Sequence, residues 1–92
     1  MRVALTGHLR CATQAEADRV RAGLDTHQRL TRAEPGCLRS DVTPTDDPLV
    51  WQVAELSTDR AAFEAHQARA AASDWARLTA GFARDYRITE NS

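Results

Sequence analysis

The sequence has little of what usually announces a function. Its 12 basic and 13 acidic residues leave a net charge of −1, with no long run of either sign. Nucleic-acid binders carry a basic stripe, so no nucleic-acid partner is expected. No apolar segment approaches the ~20 residues needed to span a bilayer, so no membrane association is expected either. The opening Met1-Arg2-Val3-Ala4-Leu5 is broken at once by Thr6, His8 and Arg10; it is too short for the core of a signal peptide and reads as a strand. Cys11 and Cys37 are the only thiols, and their spacing is not that of metal ligands. Without a secretion signal they are expected to be reduced and structural, and the cytoplasm is the expected compartment. His8, His27 and His66 are dispersed, with no close H-x-H or H-x-x-x-H pair, so no metal site is expected. No G-x-G-x-x-G or phosphate loop occurs, so neither a nicotinamide nor a flavin cofactor is expected.

What is present is hydrophobic patterning. The 92 residues are read as one domain, 1–92, and a chain this short buries only about 60–65% of its unfolded surface. It therefore gains much from a partner subunit. Val3, Leu5 and Leu9 alternate with polar residues, which is strand periodicity. Thr13 then opens a helix, with Glu16 completing a capping box. Ala17, Val20, Leu24, His27 and Leu30 form its apolar stripe, and it must stop before Pro35-Gly36. A weakly apolar strand over Cys37 to Thr43, a loop over Pro44 to Pro48 and a third strand over Leu49 to Leu56 make a hairpin. Thr58-Asp59 caps a second helix running to about Ala70, and Ser73-Asp74 caps a short one over Trp75, Leu78 and Thr79. Phe82, Arg84, Tyr86 and Ile88 alternate in a last strand, and Glu90-Asn91-Ser92 read as a frayed tail.

Strand, helix, strand, strand, helix, strand is the split βαβ order, an α+β, ferredoxin-like βαββαβ plan with a four-stranded antiparallel sheet. Such a sheet normally leaves its second face wet and polar. The third strand does not comply: Leu49, Trp51 and Val53 lie in one phase, and Val50, Ala54 and Leu56 in the other. Both faces then need cover, and the helices supply one. The patterning predicts a homodimer whose two sheets pack face to face.

Glu34-Pro35-Gly36-Cys37-Leu38-Arg39 after the first helix, and Glu55 through His66 leading into the second, resemble the antibiotic biosynthesis monooxygenase family. That family lies in the dimeric α/β-barrel superfamily and includes small quinol monooxygenases. The resemblance covers nearly the whole chain through element order, spacing and length. Ser40 stands where the family often has an aromatic, and Ser57 where it tends to carry Trp. Haem-degrading relatives rely on that Trp and on an Asn where this chain has Thr6-Gly7-His8, so the resemblance argues against haem degradation.

The resemblance implies oxidation of a quinol, phenolic or polycyclic aromatic molecule by dioxygen, with no metal or flavin. Dioxygen is a ground-state triplet, but an electron-rich phenolate can pass it one electron. The protein then has to bind the ring, stabilise its anion and exclude water. His66 shares a helical face with Ala62, Phe63, Arg69 and Ala70, so it should look toward the sheet. There it would take a phenol proton or bond the oxyanion, or else sit as a core histidine bonded to a strand group such as Glu55. Glu55 shares a phase with Trp51 and Val53; it is a candidate acid or base, or a structural partner of Arg39 or Arg84. Trp51 is a candidate stacking surface or simply core, and Tyr86 a candidate proton donor or an interface residue. Arg69, Trp75 and Arg84 are candidates for the mouth of a cleft. Two alternatives stay open: an isomerase or lyase using His66 and Glu55 without oxygen, and a non-catalytic dimeric module that binds a hydrophobic metabolite.

Overall fold

The computed structural model describes residues 1–91, and the elements follow the order that the patterning predicts. They are β1 (Arg2–Arg10), α1 (Gln14–Arg32), β2 (Cys37–Pro44), β3 (Val50–Ser57), α2 (Arg60–Ala71), α3 (Asp74–Leu78) and β4 (Ala83–Asn91). The strands pair antiparallel in the order β2-β3-β1-β4, the ferredoxin-like arrangement. β1 and β3 are central, and β2 and β4 are the edges.

Local chemistry starts each helix where the sequence signals it. The Thr13 hydroxyl accepts from the Glu16 amide at 3.2 Å, while the Glu16 carboxylate accepts from the Ala12 amide at 2.7 Å. The second bond falls one residue further out than in a standard capping box. Asp59 accepts from the Ala62 amide at 2.8 Å, and Ser73 caps α3 through the Ala76 amide. The turn after α1 depends on Gly36, whose φ of +87° suits glycine. A Cβ there would also fall 2.6 Å from the Ala62 side chain, so the turn lies directly against the start of α2.

The core forms between the sheet and the helices. Val3, Leu5 and Leu9 of β1, Val42 of β2 and Trp51 and Val53 of β3 meet Ala17 and Val20 of α1 and Phe63 of α2. Each large apolar side chain withdrawn from water in this way contributes about 1.5–3 kcal/mol. The stripe of α1 departs from expectation at its end. Leu30 is exposed and Thr31 is buried in its place. A step of four from His27 keeps Thr31 over the sheet, and its hydroxyl accepts a hydrogen bond from Arg69 at 2.9 Å.

Two further expectations are corrected. Glu90 and Asn91 are not a tail: they extend β4, with Glu90 opposite Val3 and ion-paired with Arg60. Ser92 lies outside the described residues. Glu55 does not pair with Arg39 or Arg84. Arg39 bonds Asp41 at 2.7 Å, its neighbour on the same face of edge strand β2, while Arg84 turns to the Thr79 hydroxyl and the Thr79 and Phe82 carbonyls.

β3 carries apolar residues in both phases, as expected. Trp51 and Val53 are buried toward the helices, whereas Val50, Ala54 and Leu56 are half-buried on the other face, beside the exposed Gln52. Among the described residues no helix is long and apolar enough to cross a membrane.

Candidate active site

The Asp59 cap sets the phase of α2, so Phe63 and His66, three residues apart, both face inward. His66 is 8% exposed. Its ring reaches two carboxylates. Nδ1 lies 3.0 Å from Oε1 of Glu34, and Nε2 lies 3.5 Å from Oε2 of Glu55. Glu34 is brought there by the Pro35-Gly36 turn packed on α2, and Glu55 by the helix-facing phase of β3. Arg69, one helical turn beyond His66, donates from Nε to the same Glu34 oxygen at 2.8 Å and from its terminal nitrogen to Thr31. Two acidic and two basic side chains thus form one compact network with no net charge when His66 is protonated.

The protonation states follow from this geometry. The Glu55 and then the Glu34 carboxylate raise the His66 imidazole above its ordinary value, against burial that lowers it. Burial pushes the Glu34 carboxyl up, but its bonds from His66 and Arg69 outweigh that and hold it below the usual carboxylate range. With one ring nitrogen facing each carboxylate, the geometry favours the protonated imidazole, a second cation beside Arg69. The contact to Glu34 is a full hydrogen bond; the one to Glu55 is loose and leaves room for a ligand to share it.

A cleft of about 190 Å³ opens beside this network. Glu55, His66, Trp75, Arg84 and Tyr86 lie on its walls, with Leu5, Ala70 and Ala71 among the apolar residues between them. Five of the residues singled out from sequence thus meet at one site. Burial holds the Tyr86 phenol above its ordinary value, so it remains a hydrogen-bond donor. Arg69 stands apart from the five: it lines a second cleft of about 190 Å³ between α1 and α3 and is committed to Glu34 and Thr31. Trp51 does not line the cleft. It is 2% exposed beneath α1, with the Arg21 guanidinium 5.3 Å from its ring centre, and belongs to the core.

Two residues enter that the sequence reading had not placed in a site. Glu34 appeared there only as part of a turn, and nothing local marks it as a partner of His66. His27 did carry a signal, as a histidine on an apolar helix stripe. It is 5% exposed, lines both clefts and stacks on Trp75 with ring centres 4.5 Å apart and planes at 10°. Its ring centre lies 6.4 Å from that of His66. Burial lowers its pKa to about 4, so it is neutral where His66 is charged.

The sheet order, the helices on one face and the polar cleft between them define the class, a small ferredoxin-like α+β domain with a cleft suited to a small molecule. The sequence model of the antibiotic biosynthesis monooxygenase family matches residues 3–78, from β1 through α3, and the chain belongs to that family. No curated protein matches it. Among solved structures, a Nitrosomonas europaea protein provisionally assigned as an antibiotic biosynthesis monooxygenase superimposes with a TM-score of 0.83 at 19% identity. That match covers 98% of this chain and 89% of the other. Rv0793 from Mycobacterium tuberculosis gives 0.77 at 20% identity, covering 100% and 96%. SnoaB, a cofactor-independent oxygenase from Streptomyces nogalater, gives 0.75 at 16% identity, covering 99% and 93%. At such identities the likeness establishes the fold alone.

Proposed function

We propose that the protein is a cofactor-independent monooxygenase that oxidises a quinol or other phenolic small molecule with dioxygen. The observation that carries this reading is the Glu34–His66–Glu55 network, buried at His66 and half-buried at both carboxylates, opening on a cleft walled by Trp75 and Tyr86. Family membership supports the reaction class, and the cofactor-independent chemistry of SnoaB supports its metal- and flavin-free form. A single cleft of about 190 Å³ falls below the ~300–1,000 Å³ typical of drug-sized ligands, which favours one or two rings over a larger polycycle.

In this reading Glu55 accepts the phenolic proton and protonated His66 stabilises the phenolate. The phenolate passes one electron to dioxygen, and the resulting radical pair joins at a ring carbon. One oxygen atom stays on the ring; the other leaves as water with two substrate hydrogens. Arg84, held at the cleft by Thr79 and Phe82, favours the anion, and Tyr86 and Trp75 position the ring. Arg69 acts through Glu34, which it holds against His66.

Oxygen consumption with a panel of hydroquinones is the direct test. The wild type is expected to take up oxygen, and Glu55→Gln and His66→Gln to lose about a hundredfold in rate, in line with the removal of a general base or an oxyanion donor. Equal rates in all three proteins would remove both residues from the mechanism. The same Glu55–His66 pair suits a proton shuttle, so an isomerase or lyase is the second reading; turnover without oxygen would select it. The two carboxylates at His66, on the wall of the cleft, weigh against a module that only binds a hydrophobic metabolite.

We further propose that the protein works as a homodimer in the cytoplasm. Ala4, Val50, Ala54 and Leu56 share the sheet face that no helix covers. Cys11 and Cys37 are free thiols, in keeping with a reducing compartment. Sedimentation at micromolar concentration is expected to give a species of twice 10.2 kDa, and a 10.2 kDa species would refute the dimer.

A further inference from the structure

The proposed reaction leaves two polar side chains of the cleft unused, Gln67 and His27, and of these only His27 is buried. His27 projects from the middle of α1 into the wall shared by both clefts, and Trp75 lies flat against one side of its ring. Gly23, one turn earlier on α1, lies directly against α3: a Cβ there would meet the end of the Leu78 side chain at 2.7 Å and the Trp75 ring in ordinary contact at 3.5 Å, so α3 packs closely on α1 at this point. The imidazole is thereby fixed in plane and in tilt.

Its nitrogens are not equivalent. Nδ1 is buried with no hydrogen-bond partner among the described residues. An N–H buried without an acceptor is rarer and more costly than an unsatisfied lone pair. The proton therefore belongs on Nε2, and Nδ1 carries the lone pair. Burial keeps the ring neutral, and the Arg69 and His66 charges act in the same direction, against the attraction of Glu55 and Glu34. The wall then offers a donor without bringing in another charge.

Spacing gives this donor a purpose. An oxygen accepting a hydrogen bond of ~2.9 Å from an imidazole nitrogen sits about 4 Å from the ring centre. Two such reaches span the 6.4 Å between the His27 and His66 ring centres with room for an angle at the oxygen. We propose that His27 is a ligand-binding residue of the cleft that donates from Nε2 to the oxygen of a phenolate or quinoid ligand, sharing that oxygen with His66. The proposal rests on the cleft being the substrate site, but not on oxidation taking place there.

Binding of 2-naphthol and of naphthalene, two probes that differ in one hydroxyl, tests it. The wild type is expected to bind 2-naphthol about tenfold or more tightly than naphthalene. His27→Phe keeps an aromatic ring for Trp75 to stack on and removes one of the two donors; it should cut that preference severalfold, the remainder being held by His66. His27→Gln, which restores an N–H, should recover part of it. Nitrogen NMR of the wild-type imidazole should show the Nε2–H tautomer, with the Nε2 signal moving on addition of 2-naphthol. An unchanged preference in His27→Phe, or a proton on Nδ1, would overturn the role of His27. Absence of any aromatic binding by the wild type would overturn it together with the substrate site. Binding that depends on His27 without oxygen uptake would sink the monooxygenase reading and leave this one standing.

Discussion

Replacing His66 by alanine is expected to lower the free energy of unfolding by about 3–5 kcal/mol near pH 6, below the ordinary imidazole value. The side chains of Glu34 and Glu55 are only 18% and 13% exposed, and His66 is the cation between them. Its removal leaves Glu55 without that partner and Glu34 with Arg69 alone. The cost is that of stranding buried charge rather than the net worth of a salt bridge, which is often small once desolvation is counted. Urea unfolding of the wild type and the variant would measure it. Glu34→Gln in the His66→Ala background should recover part of the loss, because it removes one stranded charge, and the two changes should therefore be non-additive. A loss below about 1 kcal/mol would mean that the network is solvated, and the site would no longer be a low-dielectric one. The same linkage has a sign in pH. The His66 pKa is raised by folding, so its contribution is complete below the unfolded value and disappears as pH rises through the folded one.

The second large effect lies on the acid side and belongs to His27. Folding lowers its pKa from 6.5 to about 4, so the unfolded chain binds a proton that the native state refuses. Stability is then fully present above pH 6.5 and is lost as pH falls toward 4. At ~1.4 kcal/mol per unit, the loss is about 3 kcal/mol, a large part of the ~5–15 kcal/mol available to a domain. His27→Phe cannot take up that proton, so its stability should stay flatter across this range while its stack on Trp75 persists. Urea midpoints at pH 7, 6, 5 and 4 for both proteins would show the divergence. Parallel curves would mean that His27 is not buried neutral. Glu34 adds a loss of its own as pH falls through its unfolded value, because its folded pKa is lowered. That loss is common to both proteins, so the comparison isolates His27.

The two histidines show where reading a sequence stops. Both could be assigned to inward faces of their helices from spacing alone, since a helix repeats its face every three or four residues. Their opposite electrostatics could not. His66 is charged because Glu34 and Glu55 arrive from a turn and a strand remote in sequence, 32 positions away in the case of Glu34. His27 is neutral because burial and the Trp75 stack surround it instead. Trp51 shows the same limit from the other side. Its strand phase identified it as inward, but inward on β3 means core at Trp51 and cleft at Glu55, four residues along.

By itself the sequence determined the architecture. The caps at Thr13, Asp59 and Ser73, the turn at Pro35-Gly36 and the phases of the strands are all local features, each decided by residues within a few positions of one another. Their order leaves the ferredoxin-like sheet as the natural solution, and the resemblance of Glu34–Arg39 and Glu55–His66 to the family agrees with the match of its sequence model. Tertiary structure alone decided the site. It matched Glu34 with His66, took Arg39 and Arg84 away from Glu55, exchanged Leu30 for Thr31 and set His27 against Trp75. Those outcomes depend on how packed layers slide and tilt against one another, and a polar group finds its partner only after the apolar core has fixed that geometry.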